Sequence, residues 1–329
     1  MAQGVHRRAA EHHSPEVTVV IPTRDRWGLL ERRALRSALR QEDVRLEVVV
    51  VDDGSAERAP ASIEGDERVR VVRHETSRGV PAGRNTGIGE ARAPWTAFLD
   101  DDDLWAPRKL REQLDRLAAE GAAFVYSDVA HVNPAGDVLT VDAAPPADEL
   151  RDLLLAGHVI PGAASNVVVR TNLLREVGGF DDRLFILEDP DLALRLVGRA
   201  RAATCDDVHV AYLQHEGARH LRDIDRLLTS FDFFRTKHPE VSAFVLENHL
   251  DWVLSQHRRA GRKVAAARLC WTVAKHERSP GWFVRGVTYL AGNRARHAVR
   301  GLKRAGRSAG TAPPPTATHP ELDWVRAYS

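Results

Sequence analysis

Two apolar, β-branched runs, Val17-Thr18-Val19-Val20-Ile21-Pro22 and Leu46 to Val51, set the tightest limit on the fold. A strand with one wet face alternates apolar and polar residues, and these runs do not. They read as strands buried on both faces, which occur in parallel sheets covered by helices. The intervening segments agree. A helix is expected from about Trp27 to Arg40, with Leu30, Ala34 and Ala38 on one stripe and Thr23 or Asp25 as its cap. Strands are expected at Arg68 to Arg73 and Trp95 to Leu99. A helix entered through Arg78-Gly79 covers Val80 to Ala91 between them. Strands alternating with helices give an α/β fold with a mostly parallel central sheet flanked by helices.

In open α/β sheets, ligands lie beyond the carboxyl ends of the strands. Three such ends carry polar chemistry here: Pro22-Thr23, Asp52-Asp53-Gly54-Ser55, and the run Asp100-Asp101-Asp102-Asp103 behind Phe98-Leu99. Adjacent carboxylates repel, and a divalent cation is one way to offset that. Mg²⁺ and Mn²⁺ take oxygen ligands, usually one or two carboxylates together with substrate phosphates. A solvated acidic turn is the other reading. It gives no reason for the acids to fall at strand ends.

Downstream, Pro107 to Glu120 reads as a helix with proline at its start, and Phe124 to Ser127 as a short strand. Residues 132–147 form a turn-rich excursion containing a hairpin arm, and Glu149 to Gly157 a short helix. A strand follows at Asn166 to Arg170, then a helical turn, Thr171 to Val177, that stops at Gly178-Gly179. Glu188-Asp189-Pro190-Asp191 opens a helix running to about Gly198. Acids and proline in a first helical turn are also ordinary capping chemistry. A strand at Thr204 to Leu213 leads into Gln214-His215-Glu216-Gly217.

From about residue 220 strand-like runs stop and helical patterns continue to about residue 305. Between His257 and Arg307 there are fourteen Lys or Arg against one acid, Glu277, with Trp271, Trp282, Phe283 and Tyr289 interleaved. This is either a helical appendage with solvated arginines or a basic amphipathic surface for anionic lipid headgroups. The division expected is a disordered tail at 1–15, an α/β domain at 16–217, a basic helical extension at 218–307 and a flexible tail at 308–329. The N-terminal stretch has no apolar core and does not read as a secretory signal. No apolar run approaches the roughly 18 residues of a spanning helix. Cys205 and Cys270 have no metal-type spacing, and a reducing compartment is the default. The expectation is a cytoplasmic protein, or a peripheral one on the inner membrane face.

Six short motifs, in order, resemble the family 2 glycosyltransferases of the GT-A fold. They are Val19-Val20-Ile21-Pro22-Thr23 with Arg26; Val49-Val50-Val51-Asp52-Asp53-Gly54-Ser55; Gly79 with Ala82-Gly83-Arg84-Asn85; Phe98-Leu99-Asp100-Asp101-Asp102-Asp103; Gly178-Gly179-Phe180-Asp181; and Glu188-Asp189-Pro190-Asp191-Leu192 with Arg195. The resemblance covers residues 15–217 and stops before the C-terminal helices. It implies a Rossmann-like GT-A domain that moves a sugar, with inversion, from a nucleotide-diphosphate donor to an acceptor hydroxyl.

The resemblance also assigns roles. Pro22, Thr23, Arg26, Asp52, Asp53, Arg84, Asp100 and Asp101 would line the donor site. A carboxylate such as Asp52 or Asp53 can accept from uracil N3–H and ribose hydroxyls, and Arg84 would suit a nucleotide or diphosphate. Asp100 to Asp102 would be the Asp-x-Asp motif, with Asp102 on Mg²⁺ or Mn²⁺, Asp100 toward ribose or in indirect contact with the metal, and Asp103 in support. The metal would neutralise the departing diphosphate. Asp189 matches the general base, ionised at neutral pH if its pKa is ordinary, and Glu188 would orient the acceptor. His215 is either a ligand to metal or diphosphate from a closing loop, or a surface histidine. Pro190 stands where relatives often carry an aromatic residue, which bears on the acceptor pocket.

The implied donor is a UDP-sugar, with dTDP and GDP as alternatives. The acceptor would be a glycan, a lipid-linked sugar or a small molecule, in cell-surface polysaccharide or glycolipid synthesis. Two other readings compete. A nucleotidyltransferase of a related fold needs a Gly-rich loop after the first strand, and Pro22 to Arg26 has no glycine. A catalytically silent glycan-binding or scaffold protein would be expected to lose acids that are intact here. A dehydrogenase lacks its Gly-x-Gly-x-x-Gly. A nucleic-acid partner is not expected, because an acid-lined site has no place in that reading.

Overall fold

The computed structural model describes residues 14–214, 224–241, 244–259, 261–291 and 322–328. The chain divides into two compact units, Met1–Gln214 with His319–Ser329, and His215–Thr318.

In the first unit, β1 (Val17–Thr23) leads into a helix, α1, built of an α-turn (Trp27–Leu30), a π-turn (Glu31–Leu35) and another α-turn (Arg36–Leu39). Then follow β2 (Leu46–Asp52), α2 (Ala61–Glu64), β3 (Val69–Arg73), α3 (Val80–Glu90), β4 (Trp95–Phe98), β5 (Leu104–Trp105) and α4 (Lys109–Glu120). The chain continues through β6 (Phe124–Val132), β7 (Val138–Asp142), α5 (Leu150–Leu155), a 3-10 turn (Ala163–Asn166) and β8 (Val168–Arg170). It closes with α6 (Thr171–Glu176), α7 (Glu188–Val197) and β9 (Ala202–Leu213). The strands form one sheet in the order β3-β2-β1-β4-β8-β6-β9-β5, with β7 on β6.

β3, β2, β1 and β4 are mutually parallel, as are β6 and β9, while β8 runs antiparallel to both β4 and β6. Side chains alternate along a strand, so a strand apolar throughout must feed two cores. Val17, Val19 and Ile21 of β1 pack with Val48 and Val50 of β2 and with Leu30, Ala34 and Ala38 of α1. Val20, Val49 and Val51 face the other way, onto Ile88 of α3 and Leu192 and Leu196 of α7. Helix α3 lies close on the sheet because residue 87 is glycine. A Cβ there would sit 2.2 Å from Val20 Cγ1.

The strand order reverses at β1, whose partners are β2 on one side and β4 on the other. That is where a crevice opens at the carboxyl ends. Backbone bonds tie the three ends together there. Asp53 N–H donates to the Thr23 carbonyl (2.9 Å) and Leu99 N–H to the Val20 carbonyl (3.0 Å).

Most elements lie where the sequence pattern puts them, and four do not. Helix α2 falls in a stretch where no element was expected. Residues 104–105 form a two-residue strand, antiparallel to β9. The strand expected to end at Ser127 continues to Val132, because β9 and β7 pair with its distal half. The tail expected to be flexible over 308–329 ends in a helix, α12 (Asp323–Tyr328). Leu322, Trp324 and Val325 pack there with Leu104, Val132 and Leu213. Cys205 and Cys270 are both free and buried. Residues 1–13 and His215 lie outside the described residues.

The second unit contains α8 (Ile224–Lys237), α9 (Phe244–Arg259), α10 (Lys263–His276) and α11 (Pro280–Ala291). Among the described residues no helix is long and apolar enough to cross a membrane.

Candidate active site

The ends of β1, β2 and β4 and the start of α7 supply the polar groups. At the end of β2, Asp52 is buried. It accepts the Ser55 N–H (2.8 Å) and pairs with Arg73 of β3. Asp53 accepts from Ser77 Oγ (2.6 Å), the Arg78 and Gly79 N–H groups (2.8 and 2.9 Å) and His74 Nδ1 (2.8 Å). Burial pushes its pKa up, but these bonds outweigh it and hold the carboxyl below its ordinary value. Asp53 thus pins the loop between β3 and α3. Gly54 makes this approach feasible: its φ is +73°, and a Cβ would fall 2.7 Å from Ser77 N.

The four acids after β4 point in different directions, which is how their repulsion is managed. Asp100 Oδ1 accepts from Arg84 (2.8 Å). Asp101 Oδ2 accepts from Thr23 Oγ1 (2.6 Å) and Arg26 Nε (3.0 Å). Asp102 Oδ2 accepts from Arg26 (2.9 Å), and its carbonyl from Arg33 Nε (2.8 Å). Asp103 turns inward, accepting Ser165 Oγ (2.7 Å) and the Leu213 N–H (3.0 Å). Asp101 and Asp103 are almost wholly buried, and burial raises both pKa values. For Asp101, burial and the neighbouring Asp102 and Asp100 outweigh Arg26 and push it up to about 7. Asp100 and Asp102 keep solvent contact, with side chains 29% and 15% exposed. Each offers carboxylate oxygen, the donor type that a hard divalent cation takes together with water and phosphate.

Arg84 joins the acid run to the distant helix α7. Its side chain is almost fully buried. One guanidinium nitrogen bonds Asp100 and the other bonds Asp189 Oδ1 (3.1 Å) and Glu188 Oε1 (3.3 Å). The guanidinium lies over the Phe180 ring at 5.1 Å. Phe180 is fixed in turn by Asn85, whose amide donates to its carbonyl and accepts its N–H, both at 2.8 Å. Two of the sequence motifs, Arg84-Asn85 and Gly178-Gly179-Phe180, are therefore one clamp.

Glu188 and Asp189 occupy the first turn of α7 behind Leu187, whose φ of +67° is unusual for leucine. Uncommon backbone of this kind clusters at functional sites. Burial and the Asp189 charge push Glu188 up to about 8, with Arg84 opposing. Asp189 is also raised, by burial and Asp100 against the pull of Arg84. Asp189 therefore lacks the ordinary carboxyl environment: it shares a crowded, half-buried pocket with Glu188 and Arg84.

Arg84 faces carboxylates rather than open crevice, and Pro22 reaches the site through the backbone of β1. Sequence reasoning missed Arg33, Arg73, His74, Ser77 and Ser165. Arg33 carried a usable signal, since it is a buried cation beside Leu30 and Ala34 on a helix facing the core. It lies in the π-turn of α1, an irregularity that often marks a functional site.

The model of the glycosyl transferase family 2 matches residues 18–178, spanning the strands and loops just described. Over these residues the chain belongs to glycosyl transferase family 2. Its similarity to the succinoglycan biosynthesis protein ExoO of Rhizobium meliloti is 37% identity over 159 residues, covering 48% of this chain and 44% of that protein. The chain spans about half the length of the curated relatives it matches. In fold it is similar to S. aureus TarS residues 1–349 in complex with UDP-GlcNAc, with a TM-score of 0.53, 16% identity and coverage of 82% and 89%. It is also similar to the mannosyltransferase PcManGT of Pyrobaculum calidifontis in complex with GDP-Man and Mn²⁺. There the TM-score is 0.50 at 20% identity, with coverage of 89% and 88%. These likenesses give the chain the GT-A architecture.

Proposed function

We propose that this chain is an inverting glycosyltransferase that uses a nucleotide-diphosphate sugar, in synthesis of a cell-surface polysaccharide or glycolipid. Arg84 is the observation that supports the reading most. One guanidinium holds Asp100, beside the donor crevice, and the carboxylates of α7 in a single cluster. A displacement at an anomeric carbon needs that juxtaposition, with anion-binding chemistry on one side and a proton acceptor on the other.

Asp52 and Asp53, at the end of β2, would line the nucleoside pocket. Asp189 would accept the proton of the acceptor hydroxyl as its oxygen attacks the anomeric carbon from the face opposite the leaving diphosphate. Arg84 positions Asp189, and Glu188 beside it would orient the acceptor. Mg²⁺ or Mn²⁺, held by Asp102 with Asp100 and with His215 as a further candidate, would supply charge neutralisation of the diphosphate. The bound states of the two structural neighbours, UDP-GlcNAc and GDP-Man with Mn²⁺, support a nucleotide-sugar donor. The resemblance puts UDP first, with GDP or dTDP as alternatives. The acceptor would be a glycan, a lipid-linked sugar or a small molecule, met at the inner membrane face.

Two expected outcomes arise directly. Asp102→Ala should abolish the extra thermal stabilisation that Mn²⁺ adds to a nucleotide-sugar complex while leaving the melting temperature of the free protein nearly unchanged. Asp102 is on the rim, and its partner Arg26 keeps the ion pair to Asp101. The pH profile follows from the raised carboxyls. A base works only when ionised, so kcat should rise with pH through a step well above the usual carboxylate value of about 4. That step belongs to the Glu188–Asp189 pair. A rate already flat between pH 5 and 8, measured with saturating donor, would contradict the assignment.

A further inference from the structure

Helix α11 carries an apolar face that, among the described residues, no other helix of its unit covers. Phe283, Val284, Val287 and Leu290 recur at helical spacing and are 55%, 50%, 45% and 45% exposed. The adjoining face is where the helix packs: Trp282 is buried, and a Cβ on Gly286 would sit 2.5 Å from Trp271 Nε1 of α10. Arg285 does not break the exposed stripe. It lies to one side, over the Trp282 ring at 4.7 Å and paired with Asp251.

The stripe continues onto α10. Phe283 meets the Trp271 ring with centroids 6.2 Å apart. Trp271 shares its helix face with Val264, 59% exposed, and with the exposed Arg268 and Lys275. The face is thus an apolar ridge with an aromatic at its edge and cations alongside. The sequence around it is biased the same way, with fourteen Lys or Arg against one acid between His257 and Arg307.

We infer that this face of α10 and α11 is a membrane-docking surface, with α11 lying flat and its ridge inserted among the headgroups and upper acyl chains of an anionic bilayer. A second copy of the chain is a poor occupant. A two-fold interface sets a patch against itself, and here that would oppose like charges. An apolar ridge flanked by basic residues is the pattern of a helix lying in the membrane interface, where burial of apolar area and attraction to anionic lipid add. The proposal deepens the peripheral placement of the enzyme and is independent of its sugar chemistry.

The test is flotation of the full chain with vesicles of phosphatidylglycerol and phosphatidylcholine, and of phosphatidylcholine alone. Binding should be at least about tenfold tighter to the anionic vesicles and should weaken, without vanishing, as salt screens the charges. Val287→Glu with Leu290→Glu should weaken it by at least about tenfold. The milder Val287→Ser with Leu290→Ser should act in the same direction. Lipids brominated on the upper acyl chain should quench tryptophan fluorescence in the wild type and less in either variant. Nucleotide-sugar stabilisation of the same variants should be unchanged, which separates this surface from the active site. Absent vesicle binding, or equal binding by wild type and both variants, would overturn the proposal. So would a wild-type dimer in light scattering that the substitutions dissolve, since a second copy would then be the occupant.

Discussion

Asp189→Asn should cost about a thousandfold in kcat, the middle of the range for removing a general base, while donor binding stays within a few-fold of wild type. Asparagine keeps the size of the side chain and can still accept from Arg84 through its amide oxygen. It cannot take the acceptor proton. The separation of effects follows from the geometry: Asp189 opens α7, whereas Asp52, Asp53 and Asp102 lie at the ends of β2 and β4. The substitution has a second consequence. After burial, the charge of Asp189 is the largest influence raising Glu188, so Glu188 should titrate lower in the variant. Full transfer activity in Asp189→Asn would remove the assignment of the base, and lost donor binding would mean that Asp189 belongs to the donor site.

Arg84→Met should be the most damaging single substitution for stability among the site residues. It removes the cation shared by Asp100, Glu188 and Asp189 and leaves three carboxylates facing one another in a partly desolvated pocket. Breaking a buried ion pair from one side costs about 3–5 kcal/mol, because the remaining charge is stranded. For a unit of this size that corresponds to a fall in melting temperature on the order of 10 °C. The pH dependence has a definite sign. Without the guanidinium, the native-state Glu188 and Asp189 carboxyls rise further above their unfolded values. The native state then holds protons that the unfolded chain has released, so stability falls as pH rises. The deficit of Arg84→Met against wild type should therefore be larger at pH 8 than at pH 5. Arg84→Lys restores a charge but not the planar fork, and should recover only part of the loss. A deficit independent of pH, followed by urea unfolding, would point to lost packing over Phe180 instead.

The parallel half of the sheet was legible because its physics is local. Val17 to Ile21 and Val48 to Val51 are apolar on both faces, and only burial between two layers of helix satisfies that. The acids at strand ends were legible for a related reason, since the chain leaves the core there. What could not be read is what depends on long-range partners. Leu104–Trp105 is too short to show a period and is a strand only because Ala211 and Val210 lie opposite. The distal half of β6 carries Asp128 and His131, polar residues that mask the strand until β7 and β9 pair with it.

The role of Arg84 shows the same limit at the site. Its motif suggested an anion, and anions are indeed what it meets, but they are carboxylates of the chain itself, two of them more than a hundred residues away. The acid run was similarly half read. Repulsion among four carboxylates implied a counter-charge, and Arg26, Arg33 and Arg84 supply much of it from three separate elements. Which aspartate turned inward was beyond reach, because Asp103 is chosen by Ser165 and the Leu213 N–H, groups that no pattern around residue 103 announces.

The central claim is that the crevice at the ends of β1, β2 and β4 takes a nucleotide-diphosphate sugar together with a divalent cation. Thermal melting of the full chain against UDP-, GDP- and dTDP-sugars, each with and without Mn²⁺, tests it most directly. Saturation at about a hundred times Kd adds about 2.7 kcal/mol, which one nucleotide class should deliver only when the metal is present. Stabilisation by none of these donors in the presence of Mn²⁺ or Mg²⁺ would contradict it.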